Sequence, residues 1–230
     1  MDRSKVFSRT SVDVGLRQFM LGTYNYMGLG LALTGAVVFL INSAPLGIKQ
    51  FFFGIQLITL IATIGVVLYF SRALTRMSAL RAQGLFWAYA ALQGITIAGF
   101  VGSYSVPAVT QAFFVTALTF GGASLYGHLT KRDLSSMGSL FMMGLIGLLV
   151  AGLVNVFLRS SAISFAVSAI SVLLFTGLTA YDTQRIRSIY FQLPYDQETR
   201  EKFAVLGALS LYMDVLQIFL SLLRLSDNRD

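Results

Sequence analysis

Residues 140–158 read LFMMGLIGLLVAGLVNVFL, nineteen positions with no charged side chain and a single amide, Asn155. An apolar run of about 18 or more residues has the length of a helix that crosses the hydrocarbon core of a bilayer. Soluble strands and core helices are not this long and this uniformly apolar together. The same length requirement, applied outward from this stretch, predicts six further helices at 20–41, 51–70, 85–102, 108–125, 162–181 and 203–223. The fold class is therefore read as all-α: a polytopic integral membrane protein, a seven-transmembrane-helix bundle. The expected organisation is a polar cytoplasmic N-terminal arm at 1–19, a transmembrane domain at 20–225 and a short polar C-terminal tail at 226–230. The first run is not read as a cleaved signal peptide, because its polar arm exceeds a signal's basic start and its apolar stretch is too long.

Composition agrees. Of 230 residues, 56% are hydrophobic and 12% charged, about half the usual charged share, so the chain lacks the polar surface to cover a globule. With no cysteine, disulfides and thiolate metal sites are excluded. The single histidine, His128, stands near Lys131 and Arg132 beside a predicted connection, the setting of a solvated side chain. A net charge of +7 raises nucleic acid as a partner, but the basic residues are spread over short connections and form no single patch. Arg3, Lys5, Arg9, Arg17, Arg72, Arg76, Arg81, Lys131, Arg132, Arg185, Arg187, Arg200 and Lys202 fall on one side of the predicted membrane; Lys49, Arg159, Arg224 and Arg229 fall on the other. That bias predicts a cytoplasmic N-terminus, with the C-terminus opposite unless the last segment is re-entrant. Gly28, Ala32 and Ala36, like Gly147 and Ala151, recur four apart, a spacing that lets helix backbones approach closely.

The informative exceptions are two carboxylates. Asp214 lies mid-run in Leu211-Tyr212-Met213-Asp214-Val215-Leu216. An aspartate at the centre of a membrane helix costs about 2.5–3.5 kcal/mol to insert, so it is expected to face the bundle interior and to have a partner. Gly207, Ser210, Gln217 and Ser221 share its spacing and predict a polar seam on the last helix. Asp182 closes the sixth run, and Ser164, Ser168, Ser171 and Thr179 lead to it at similar intervals. That helix is expected to continue through Ile186 and Ile189 and to break near Pro194, which places Asp182 inside it. Two carboxylates brought together out of bulk water cannot easily both ionise; such a pair titrates as a unit and suits a pH sensor. Arg72 and Arg76, one turn apart at the end of the second span, are the cations best placed to reach an aspartate, or else serve as headgroup anchors.

Three stretches carry a resemblance: Gly177-Leu178-Thr179-Ala180-Tyr181-Asp182-Thr183-Gln184, Leu206-Gly207-Ala208-Leu209-Ser210-Leu211-Tyr212-Met213-Asp214, and Tyr126-Gly127-His128-Leu129-Thr130-Lys131-Arg132-Asp133-Leu134-Ser135. With the seven-span layout, they make the chain resemble a bacterial member of the Bax-inhibitor (transmembrane Bax inhibitor motif) family over nearly its whole length. The resemblance implies a bundle in which the last helix is central and an activity as a pH-sensitive calcium leak. It implies that the family's paired aspartates are Asp182 and Asp214 and that its second-helix arginine is Arg76.

The functional expectation is a calcium-permeable leak of the bacterial inner membrane, with Asp182 and Asp214 as pH sensor, gate and transient calcium ligands, and Arg76 as the cation coupled to them. No cofactor is expected; calcium is the transported ion, and protons and the lipid bilayer are the other partners. Two carboxylates supply fewer than the roughly six to eight oxygens that calcium takes, so water or carbonyls must complete the shell. One rival is a proton-coupled carrier built on the same aspartates. Another is a regulatory protein whose basic face binds a membrane-protein partner such as a protease. An enzyme is not expected, since no histidine or cysteine lies within a span and the isolated serines have no activating base.

Overall fold

A computed structural model of the chain describes residues 3–74 and 76–227, with side chains from 14 to 226 apart from 75. Every regular element among them is helical: α1 (Arg3–Ser43), α2 (Leu46–Gly54), α3 (Gln56–Ala73), α4 (Ala79–Gly102), α5 (Val106–Leu129), α6 (Gly138–Leu158), α7 (Ser161–Tyr190) and α8 (Gln197–Asp227), with a 3-10 turn at Ser135–Met137 before α6. All except α2 are long and apolar enough to cross a membrane, giving the seven spans expected. In hydrocarbon each backbone polar group needs an internal partner, and the helix is the local way to supply it.

Two element boundaries depart notably from the sequence reading, and a third agrees with it. The second apolar run is interrupted at Ile55 (φ −96°, ψ 4°), so Phe51–Phe53 belong to the short α2 and the span begins at Gln56. The mostly apolar stretches before and after it outweigh Gln56 at the junction and hide that break from a length-and-hydropathy reading. The helix of the first span begins at Arg3 and runs without interruption into the apolar run. The sixth run continues past its apolar part to Tyr190 and turns over 191–193 ahead of Pro194, as anticipated.

Burial separates the spans. In α6 only 6% of the apolar window is enclosed, and Leu140, Met142, Ile146, Leu149 and Leu153 are all exposed, as befits a helix facing lipid. In α8 the share is 56%, the highest of the seven.

The helices gather into two compact units. One comprises the residues up to Ser103 together with Ile186–Leu209. Within it, Thr34 donates to the carbonyl of Ala90 (2.8 Å) and Asn42 to that of Ala98 (2.9 Å); the constant offset of 56 residues makes α1 and α4 parallel neighbours. Thr96 bonds Thr59 across α4 and α3. The start of α8 is pinned by its acids: Glu201 accepts from Tyr26 (3.2 Å) and Gln83 (2.5 Å), and Glu198 from the backbone N–H of Ala79. Asp196 caps α8 by accepting from the N–H of Thr199, which holds its carboxyl below the usual range.

The other unit comprises Tyr104–Arg185 and the chain from Ser210 onward. Here α5, α6 and α7 approach closely at glycines. A methyl at Gly127 would land on the backbone of Ala180, and one at Gly177 would sit 2.7 Å from the ring of Phe141. Gly28 and Gly147, singled out by spacing, have open space where a Cβ would go, so the close approaches occur elsewhere. Arg159 ends α6 in the left-handed region (φ 48°) and Asn155 holds the turn, accepting from Ser160 N–H and donating to Ser164.

Candidate functional site

α7 carries its polar residues inward and its apolar ones outward, the inverse of a soluble helix. Before Thr179, its only buried residues are Ser168 and Ser171, whereas Phe165, Ile170 and Leu173 are exposed. Thr179 is fully enclosed and returns its hydroxyl to the carbonyl of Phe175 (2.8 Å). The stripe read from spacing is therefore a buried one, and it ends at Asp182, which is half-buried.

Four consecutive polar residues follow the inner end of that stripe, and successive side chains on a helix point about 100° apart. Asp182 lies close enough to Asp214 on α8 for the two carboxylates to interact electrostatically. Thr183, fully buried, shares a 3.1 Å hydrogen bond with Ser124 of α5. Gln184 clasps the connection that precedes α6: its carbonyl accepts from Leu134 N–H (2.8 Å) and its amide donates to the carbonyl of Arg132 (2.8 Å). Arg185, one turn beyond Asp182 and exposed, interacts favourably with it. A displacement of α7 at Asp182 is thus felt by α5, by α8 and by the 130–137 connection.

Asp214 is only 4% exposed, and its Oδ2 accepts no hydrogen bond. Leaving a buried acceptor unsatisfied costs about 1–3 kcal/mol, more when it is charged. The one other enclosed side-chain oxygen in this condition among the described residues is Oγ of Ser168. Asp214 is therefore held, by the packing of α8, in a position that an ordinary structural aspartate would not keep.

The structure brings Asp182 and Asp214 together, as the sequence reading anticipated. Arg76 stands exposed in the connection between α3 and α4, in the first unit, as does Arg72 at the end of α3. The cation found beside Asp182 is Arg185, which sequence reasoning passed over although the i, i+3 spacing announces it. Ser124 and Gln184 were also missed. The available signal for Gln184 was a polar run, Asp182 to Arg185, on a helix that had to continue. Gln217 departs from the predicted seam: Gly207, Asp214 and Ser221 are buried, but Gln217 is exposed. No group of three or more acidic, histidine or cysteine side chains gathers as a preformed metal site among the described residues.

The family described as "Inhibitor of apoptosis-promoting Bax1" matches residues 16–230. An uncharacterised protein of Rickettsia prowazekii is 43% identical over 100% of this chain and 99% of its own length. The inner membrane protein YbhL of Escherichia coli K12 is 41% identical, covering 94% of this chain and 93% of its own length. An uncharacterised membrane protein of Streptococcus pyogenes is 34% identical over 96% and 97% respectively.

Proposed function

The chain belongs to the Bax inhibitor family of multi-pass membrane proteins, and on that premise we propose that it is a calcium-permeable leak whose opening is set by protonation of Asp182 and Asp214. The observation that carries this reading is the buried, unpartnered Oδ2 of Asp214 beside a second carboxylate. With both groups ionised, like charges confront each other away from water. One proton shared between them removes a charge and replaces repulsion with a hydrogen bond. Because Asp182 is flanked by the Ser124–Thr183 bond and the Gln184 clasp, the change reaches α5 and the 130–137 connection as well as α8. A charge event at a bistable junction is the usual form of a pH switch.

Carboxylate oxygens suit a hard divalent cation, and a pair that leaves most of the shell to water suits passage over storage. The likeness to an inner membrane protein of E. coli supports placement in the bacterial inner membrane, and the distribution of Lys and Arg supports a cytoplasmic N-terminus.

The test is calcium entry into dye-loaded liposomes containing the purified protein, measured across pH for the parent, Asp182→Asn and Asp214→Asn. The reading requires pH-dependent entry in the parent and loss of that dependence in both variants. Equal, pH-independent entry in all three removes the aspartate mechanism. No entry from folded protein removes the leak and favours a partner-binding role, and entry that demands an opposing proton gradient selects a carrier.

A further inference from the structure

From Ala204 to Leu223, α8 is buried or half-buried at every position but one, and that one is Gln217. The exception is chemically odd. Exposed side chains on the neighbouring stretches of α6 and α7 are apolar, Leu149, Phe165 and Leu173 among them, as a lipid face requires. A primary amide facing hydrocarbon would leave two N–H donors and a carbonyl without partners, so polar groups inside spans turn toward protein or toward water. Gln217 is not enclosed by protein. Its accessibility is thus that of a polar side chain left open on the most enclosed span.

A second, independent observation lies one turn away. Asp214 precedes Gln217 by three residues, which puts the two side chains on adjoining parts of one helix face, and its Oδ2 is buried without a partner. Side chains at this spacing have Cβ atoms about 5–6 Å apart. That separation lets a carboxylate and an amide carbonyl both reach one ion with oxygen contacts of roughly 2.3–2.6 Å. The amide adds a neutral oxygen where a second acid would bind too tightly to release the ion.

We propose that Asp214 and the side-chain carbonyl of Gln217 form a binding station for a partly hydrated divalent cation, at the inner end of a water-filled crevice that opens along the C-terminal half of α8. The crevice is argued from the exposure of Gln217 alone; the identity of the ion as the transported one rests on the leak reading.

Because the chain has no cysteine, Gln217→Cys places one thiol at the site. A charged, membrane-impermeant thiosulfonate reacts with thiolate, which exists only where water reaches it. In proteoliposomes, Gln217→Cys is expected to react at least about tenfold faster than Leu173→Cys, on the lipid face, or Ile218→Cys, which is fully buried. Gln217→Cys itself removes the carbonyl ligand, so calcium held by Asp214 alone is expected to slow the reaction at about ten times the concentration the parent needs, and adding Asp214→Asn to remove that protection while leaving the thiol reactive. Reaction no faster than at Leu173→Cys places the amide in lipid and overturns the crevice. Fast reaction with no calcium protection even at that higher concentration overturns the station. Should the thiol variant not fold, terbium binding decides: Gln217→Leu is expected to weaken it about tenfold and Gln217→Asn to retain it, whereas equal binding by parent and Gln217→Leu overturns the proposal. Calcium entry by the parent with an inert Gln217→Cys leaves the leak standing and removes this inference; a reactive, calcium-protected thiol in a protein without calcium entry supports the station and removes the leak.

Discussion

α8 carries two kinds of acid. Glu198 and Glu201, near its start, are hydrogen-bonded: Glu201 receives hydrogen bonds from Tyr26 and Gln83, and Glu198 receives one from the start of α4. Asp214, four turns further on, is more deeply buried, has an oxygen with no hydrogen bond, and lies close enough to Asp182 for the two carboxylates to interact. The glutamates tie a helix end to its neighbours. The aspartate is kept in an environment that penalises its charge, and such a group changes its surroundings when it binds a proton or a cation. Burial of an acid within a membrane protein thus says little until its partners are counted.

The largest effect that this contrast predicts is at Asp214. Asp214→Asn should abolish the pH dependence of calcium entry, changing entry at one end of the pH range on the order of tenfold, while Glu201→Gln leaves the pH profile in place. If Glu201→Gln moves the profile as far as Asp214→Asn, the distinction between the two kinds of acid collapses. Gly127→Val, which forces a side chain onto the backbone of Ala180, is expected to destabilise by about 1–3 kcal/mol in thermal or denaturant unfolding in detergent. Glu201→Gln should lower stability by about 1 kcal/mol, because the amide keeps an acceptor for Tyr26 and Gln83 but loses the charge that strengthens both bonds.

Asp196 offers a smaller, pH-linked version. Its carboxyl is held below the usual range by Thr199, so the cap's contribution is complete at neutral pH and fades as the pH falls through the depressed value. Asp196→Ala should therefore lower the melting temperature at neutral pH, and the gap from the parent should close in strong acid. Smallest of all is Leu149→Ala on the lipid face of α6, expected within about 0.5 kcal/mol of the parent.

The parts of the molecule that the sequence discloses are those governed by solvent. Residues 140–158 announce a span because lipid permits nothing else at that length, and α6 is the least enclosed of the seven. Asp182 and Asp214 stand out for the same reason: a charge in an apolar run is conspicuous whatever it touches. What the sequence hides depends on local geometry. The break at Ile55 lies between mostly apolar stretches that outweigh the adjoining Gln56, and the helix before residue 20 is polar, so neither alters the hydropathy pattern that defines a span. Gln217 shares the spacing of Asp214 and Ser221, yet the packing of neighbouring helices leaves it accessible while enclosing the other two. The close approaches at Gly127 and Gly177, and the open space at Gly28 and Gly147, show that small-residue spacing states what a helix can do and tertiary packing decides where it happens.

The most direct test of the account follows the protons themselves. Infrared difference spectra of the reconstituted protein, recorded through a pH titration, resolve the carboxyl stretch of buried acids, and the band lost in Asp214→Asn assigns that residue. A shared proton predicts that Asp182→Asn displaces the titration of Asp214 and merges two separated steps into one. Titration of Asp214 at the same pH, in a single step, with and without Asp182 would contradict it.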